Sequence, residues 1–502
     1  MISRVLVLGG GSAGFLTAIT IKNRLPHLDV TVLRSREIGI IGVGEATTIG
    51  VPQHLHFYLG LDPGEFYRLA EPQWKLGIRF LWGKRPYFDF VFGHSLDTKY
   101  QLLPKGTGYF CPEGPTDFVS ITSGLMTLNN AFLRGPDGRP QLGPEVAYHI
   151  ENVKFVHYLE VVAARLGIAV REDKVVEVRQ DEHGIRALQL ESGSSLNADL
   201  FVDCSGFASV LLGKALQEPF RSFASSLYCD RAVVGSWDRT DEPIKPYTTA
   251  ETMQCGWCWQ IDHEHHINRG YVHSSAYLSD GEAEAEFRAA NPRLGETRIV
   301  RYVSGRHERS WVKNVVAIGN SSGFVEPLES TGLAALCTQS QAVAEMLFDT
   351  DQDPGPAMIG QYNKRFALHW DAIRQFLAIH YKFNERLDTP FWRACRADAN
   401  LAGAEEFVEY YRENGPSVVY RNTLLPPQDQ FGMEGYLSML VGQQVPYRKK
   451  YVPDATAQQN WERIRQAVKN KVSQAFTVRE ALDFIRSPLW TWPGREFFNP
   501  RP

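Results

Sequence analysis

Residues 4–14 read RVLVLGGGSAG, a short aliphatic run that breaks into glycines and then opens a helical pattern. Val5, Leu6, Val7 and Leu8 suit a buried strand of a parallel sheet. The following segment, SAGFLTAITIKNRL (12–25), places Phe15, Leu16 and Ile19 at helical spacing, and Val30–Leu33 reads as a second strand. Strand, helix and strand therefore fit within about thirty residues, a β-α-β unit. Gly9, Gly11 and Gly14 make G-x-G-x-x-G at the strand-to-helix turn. The first glycine permits a tight turn, the second lets backbone approach a pyrophosphate, and the third lets helix and strand pack closely. The helix N-terminus then offers phosphates its open N–H groups and the positive end of its dipole. The turn predicts dinucleotide binding.

About twenty residues further on, dinucleotide-binding folds usually carry an acidic residue for the ribose hydroxyls. This chain has Arg34 there. Its guanidinium suits a 2′-phosphate or a stack beside an adenine, so the cofactor has to be read from elsewhere.

Outside this unit the chain is long and ordinary in composition. Its 502 residues allow two or three domains. With 43% hydrophobic and 22% charged residues and a net charge of −4, it is not built to coat nucleic acid or an anionic membrane. Glycines break the N-terminal apolar run, which does not read as a secretory signal. No apolar stretch approaches the ~20 residues needed to span a bilayer. Seven scattered cysteines make no disulfide framework, and a reducing cytoplasm is the expected location.

Further along, residues 153–166 read as a helix, while 168–170 and 174–178 read as strands. IRALQLESG and LNADLFVDCSG suggest a hairpin leading into a buried strand, and 247–277 is strand-like and aromatic. NVVAIGN (314–320) is a second glycine-ended strand, and beyond Gly332 the pattern turns helical, with DTDQDPGP (349–356) as a loop. A late glycine-bounded strand is unlike a nicotinamide dehydrogenase. It resembles FAD-dependent monooxygenases, whose late strand ends in Gly-Asp beside the flavin ribityl chain; Asn320 stands at that Asp position and keeps the hydrogen-bonding capacity without the charge.

The whole set is more specific than any one motif. The glycine turn, GVGEAT (42–47), EPQWKLGIRF (71–80), DCSGF (203–207), Trp257-x-Trp259-x-Ile261 and FVEPLESTG (324–332) together resemble the flavin-dependent tryptophan halogenase family. The likeness covers about residues 1–345 in order, with a weaker echo in GYLSMLVGQQVPY (435–447). It implies an α/β fold: a Rossmann-like FAD-binding core over 1–345 with an inserted substrate-facing sheet, and a mainly helical lid region over 346–502. It further implies that FAD, delivered already reduced, binds Gly9, Gly11, Ser12, Ala13, Gly14, Arg34, Ala46, Val175, Asn320 and Leu333. With O₂ it would oxidise chloride or bromide, held at Thr331 and Gly332, to hypohalous acid.

Lys75 matches the family's essential lysine. It would capture the hypohalous acid and aim it at one carbon, either as a hydrogen-bonding ammonium or, if its pKa falls far below ~10.4, as a haloamine. Glu329 matches the family glutamate that stabilises the cationic ring intermediate or accepts its proton; its neighbour Glu326 is read as structural. The family does not reduce its own flavin, so a separate NAD(P)H-dependent flavin reductase is the implied partner, with a homodimer as the one self-association kept in view. Because no amino-acid-binding lid is clear between Leu424 and Pro446, indole or a simple derivative is expected to be preferred over free tryptophan. An FAD-dependent aromatic hydroxylase is the alternative.

CGWCWQIDHEHH (255–266) has a rival reading as a zinc or dithiol site. Zinc modules place a dozen or more residues between such cysteine and histidine pairs, and here the gap is far shorter. On a strand Trp257 and Trp259 share a face, with Cys258 and Gln260 on the other; the resemblance makes the tryptophans a wall between flavin and substrate. The family motif ends in proline, whereas this chain has Asp262, and HEHH (263–266) is expected to be a solvated loop.

Overall fold

The strand Arg4–Leu8 runs through the middle of a six-stranded sheet ordered Trp311–Val312, Val315–Ala317, Leu200–Asp203, Arg4–Leu8, Asp29–Arg34 and Ala169–Glu172. The computed structural model that shows this describes residues 1–35, 37–39, 44–97 and 102–499; Gly42 and Val43 of the GVGEAT motif lie outside them. All pairs in the sheet are parallel except Trp311–Val312 at one edge. Val5, Leu6, Val7 and Leu8 are all buried, which explains why this strand reads as continuously apolar. The chain moves to one side of it for Asp29–Arg34 and to the other for Leu200–Asp203. That reversal makes a topological switch point at the strand's C-terminal end, where α/β sheets bind ligands.

Proximity within the chain defines two compact units: Met1–Pro72, Ile150–Phe223 and Tyr302–Asp371, and Gln73–His149, Ala224–Arg301 and Ala372–Pro502. They are interleaved in sequence, whereas the expected division at 345 is linear. The first unit holds the parallel sheet, with the helices Ser12–Arg24, Asn152–Arg165 and Gly332–Asp349. A three-stranded antiparallel layer, Val175–Asp181, Gly184–Leu190 and Ser195–Leu196, packs Ile185, Leu188 and Leu190 into one apolar cluster with Leu6, Leu8 and Leu33.

The second unit is built on a seven-stranded sheet ordered Thr297–Arg301, Arg231–Asp238, His266–His273, Gly256–Asp262, Thr248–Met253, Gly77–Leu81 and Phe88–Val91. Its pairs are antiparallel except Thr248–Met253 with Gly77–Leu81. The helices Pro390–Asp398, Glu405–Asn414, Gly432–Gly442, Ala455–Val472 and Val478–Ile485 belong to this unit. The fold is α/β with a Rossmann-like core. Among the described residues no helix is long and apolar enough to cross a membrane.

One local expectation fails. HEHH is not a solvated loop: Asp262, His263 and Glu264 are buried, and His266 already belongs to the next strand. Distant arginines cover the turn. The Arg239 guanidinium donates to the Asp262 carboxylate and the His263 carbonyl, and Arg486 clamps Glu264 with two bonds of 2.9 and 2.6 Å.

Candidate active site

In the first unit the glycine turn is shaped by neighbouring backbone. The Gly9 N–H donates to the Leu33 carbonyl and the Leu8 carbonyl accepts the Cys204 N–H, both at 2.9 Å. A Cβ on Gly14 would lie 1.8 Å from the Gly9 carbonyl oxygen, and one on Gly10 would lie 2.4 Å from Cβ of Arg34. Gly11 faces open space and caps the helix Ser12–Arg24, which has no side-chain cap and no acidic residue in its first turn. These residues fit a bound pyrophosphate: no side chain occupies the N–H groups at the helix N-terminus, Gly9, Gly10 and Gly14 admit no Cβ, and the space beside Gly11 is open.

Arg34 is paired inside the unit with Glu160 and Glu172, and its guanidinium lies 5.8 Å from the centre of the Phe15 ring. Two carboxylates neutralise it, which leaves less charge for a 2′-phosphate. Asp203 of DCSGF has a bracing role: its carboxylate accepts the N–H groups of Ser205, Leu211 and Leu212.

The late strand Val315–Ala317 delivers Asn320 to the same sheet edge. The Ile318 N–H donates to the Asp203 backbone carbonyl, and a Cβ on Gly319 would sit 3.6 Å from Cβ of Ala13. Asn320 itself is exposed there. The chain continues through the turn Pro327–Glu329, where Glu326 and Glu329 are both buried, and through Ser330 at φ 58°. Thr331 then caps the helix Gly332–Asp349 by its backbone alone, with no acidic residue in the first turn. Successive N–H groups after a left-handed residue form an anion-binding concavity, and Gly332 leaves open space beside it. Gly50, which opens the short helix Gly50–Pro52 after Ala46, lies against this helix, a Cβ there standing 3.9 Å from that of Ala334. Val175 packs on the Leu6–Leu8–Leu33 cluster. Glycine turn, the short strand Glu45–Ala46, Asn320, Glu329 and the Thr331–Leu333 helix start thus all belong to one unit.

Lys75, Trp257 and Trp259 belong to the other. Lys75 ends the short strand Gln73–Lys75, paired antiparallel with Ala147–Ile150 so that Lys75 faces Ala147 and Gln73 faces His149. It is fully buried, its amine 5.3 Å from the centre of the Phe92 ring. His149 is held at both nitrogens: Nδ1 donates to the Asp262 carbonyl at 3.2 Å, and Nε2 accepts the Thr248 hydroxyl at 2.9 Å. Burial first, then the Lys75 charge, pushes His149 down to about 3, against the opposing pull of the Asp262 hydrogen bond. It is a neutral imidazole at working pH.

The tryptophans lie on Gly256–Asp262, their ring centres 6.0 Å apart at 56°. Gly270 stands directly opposite Trp259, and a Cβ there would come within 2.0 Å of the indole. Cys258, on the other face, packs with Val233, Met253 and Tyr271. Cys255 precedes the strand, with Sγ 3.9 Å from the Tyr277 carbonyl, and burial pushes it up to about 11. The two sulfurs serve different surroundings. Asp262 closes the strand with a buried ion pair to Arg239, while its other carboxylate oxygen accepts the Gln260 amide at 3.0 Å. Sequence reading missed Gln73, His149 and Arg239, because their place beside Lys75 and Asp262 arises from strand pairing.

The model of the tryptophan halogenase family matches residues 4–458. Tryptophan 7-halogenase KtzQ of Kutzneria sp. (strain 744) is 33% identical over 443 residues, 83% of this chain and 82% of its own length. Among solved structures, MibH, a lanthipeptide tryptophan 5-halogenase, is 39% identical with a TM-score of 0.88, covering 96% of this chain and 93% of that one. BrvH, a flavin-dependent halogenase from Brevundimonas sp. BAL3, is 29% identical with a TM-score of 0.83, covering 96% and 99%. The family match spans nearly all of the chain, from the glycine turn through both tryptophans and past the STG helix start, and on that ground the chain belongs to the flavin-dependent tryptophan halogenase family.

Proposed function

We propose that this halogenase oxidises bromide or chloride and transfers the halogen through Lys75 to an indole-type ring, with indole or a simple derivative preferred over free tryptophan. The observation that carries this reading is the complete burial of the Lys75 amine on a strand face, in the unit that also holds the tryptophan pair. A solvated lysine would release an electrophilic halogen to water; a buried one hands it on.

Bound reduced FAD, with O₂, supplies the oxidising equivalents that turn halide into hypohalous acid. Gly9, Gly11, Ser12, Ala13 and Gly14 would hold its pyrophosphate, while Ala46, Val175, Asn320 and Leu333 line the rest of it and Arg34 braces the adenosine side through Glu160 and Glu172. Thr331 and Gly332 hold the halide on backbone N–H groups. Trp257 and Trp259 wall off the indole. In the transfer step the O–X bond breaks and a C–X bond forms; the hydroxyl takes a proton and leaves as water. Glu329, a buried carboxylate, stabilises the ring cation and accepts the ring proton. Reduced flavin comes from a separate NAD(P)H-dependent reductase, and we place the reaction in the cytoplasm.

The 39% identity to MibH favours a second reading of the substrate, an indole carried as a tryptophan side chain of a peptide. The test supplies flavin reductase, FAD, NADH and bromide with indole, free tryptophan or a tryptophan-containing peptide, and weighs the products by mass. Halide-dependent bromination of indole above tryptophan supports the first reading. Faster turnover of the peptide selects the second. A hydroxylated product formed without halide would overturn both.

A further inference from the structure

Lys75 does not stand alone on its strand. Residues two apart on a strand, and residues directly opposite in an antiparallel pair, share a face. The register Gln73↔His149, Trp74↔Tyr148 and Lys75↔Ala147 therefore puts Gln73, Lys75, Ala147 and His149 on one face. Trp74 turns to the other, where its ring meets Phe132 at 4.8 Å. Gln73 is 1% exposed, and among the described residues neither its amide nitrogen nor its amide oxygen has a hydrogen-bond partner. The nearest polar candidate across the strand pair, His149, has both nitrogens committed to Asp262 and Thr248.

An unmet buried amide is expensive to keep, since each group loses its water and gains nothing. A leucine would fill the same place without that cost. A primary amide offers two donors and an acceptor but no charge, so it does not neutralise the neighbouring lysine as a carboxylate would. Hypohalous acid presents the matching set: an O–H to donate and an oxygen to accept. We propose that the Gln73 carboxamide hydrogen-bonds hypohalous acid beside Lys75 and holds it in the orientation for transfer. This rests on the reading of Lys75 given under Proposed function.

The test uses Gln73→Leu and Gln73→Asn in the full chain with flavin reductase, FAD, NADH, bromide and indole. Four quantities are read: brominated indole formed per FADH₂ oxidised, hypobromous acid escaping to added taurine as N-bromotaurine, the KM for indole, and the melting temperature of the flavin-free protein. Losing one neutral hydrogen bond corresponds to a change of about 3- to 10-fold. Gln73→Leu is expected to lower product per FADH₂ and raise N-bromotaurine, their ratio shifting by that factor, with KM for indole unchanged and melting temperature equal or higher. Gln73→Asn, which keeps the amide but draws it back, falls between. A higher melting temperature with unchanged coupling would show that Gln73 holds only water, and would overturn the proposal. So would unchanged coupling in both variants. Lys75→Ala run alongside separates the two ideas. If it still brominates, the underlying reading fails; if it is inactive while Gln73→Leu couples normally, only this inference fails.

Discussion

Gly270 shows how one missing methyl can set a site. It lies opposite Trp259, and a Cβ would overlap the indole at 2.0 Å. Gly270→Ala must therefore push Trp259 out of its place or bend the strand His266–His273. Overpacking of this kind costs about 1–3 kcal/mol, to be read as a lower urea midpoint with an altered tryptophan emission. An unchanged midpoint and spectrum would mean the ring does not lie over Gly270. If the tryptophans form the proposed wall, the same variant also lowers the yield of halogenated product per flavin oxidised.

At the scale of elements, the end of the strand Gly256–Asp262 is held by charge. Arg239 and Asp262 have side chains only 2% and 1% exposed, so neither charge is relieved by water. Removing one partner of such a pair leaves the other buried and costs about 3–5 kcal/mol, whereas replacing both by apolar residues is far milder. Asp262→Asn is expected to lower the unfolding free energy within that range, and Arg239→Met with Asp262→Leu to recover much of it. Equal losses in the single and double variants would contradict the account.

This element also marks how far the sequence was legible. The glycine turn, the helix after it and the late strand leading to Asn320 were readable because their chemistry is local: small residues where backbone must approach, apolar runs where strands are buried. HEHH was misread because its burial is imposed by Arg239 and Arg486, the latter more distant in the chain than any pattern in the motif could register. The same holds for Gln73 and His149. Each is unremarkable in sequence, and each gains meaning from a pairing register that joins residues 73–75 to 147–149.

For the molecule as a whole, stability should depend on pH through Glu434. This carboxyl is buried in the helix Gly432–Gly442 and accepts the N–H groups of Leu96 and Asp97 at 2.7 and 2.9 Å. Burial dominates over those bonds and pushes it from 4.5 up to about 8. The folded chain thus binds a proton that the unfolded chain releases at lower pH, so its contribution is full below about 4.5 and is lost as pH rises through about 8. Between pH 5.5 and 8.5 the urea midpoint of the native chain should drop relative to that of Glu434→Gln, in which this part of the slope is absent; parallel curves would refute the assignment. His149, pushed down from 6.5 to about 3 by burial, stays neutral in the folded chain while the unfolded chain takes up a proton there below about 6.5, so it adds an opposing rise in stability at the acid end of that range, common to native chain and variant.

The central claim is that Lys75 carries the halogen to the ring, and one variant tests it most directly. Lys75→Ala is supplied with flavin reductase, FAD, NADH, O₂, bromide and indole, and two signals are followed: brominated product by mass and reoxidation of FADH₂. The account predicts that product disappears while reoxidation continues at the native rate. Brominated indole formed by the variant at a rate near that of the native enzyme would contradict it.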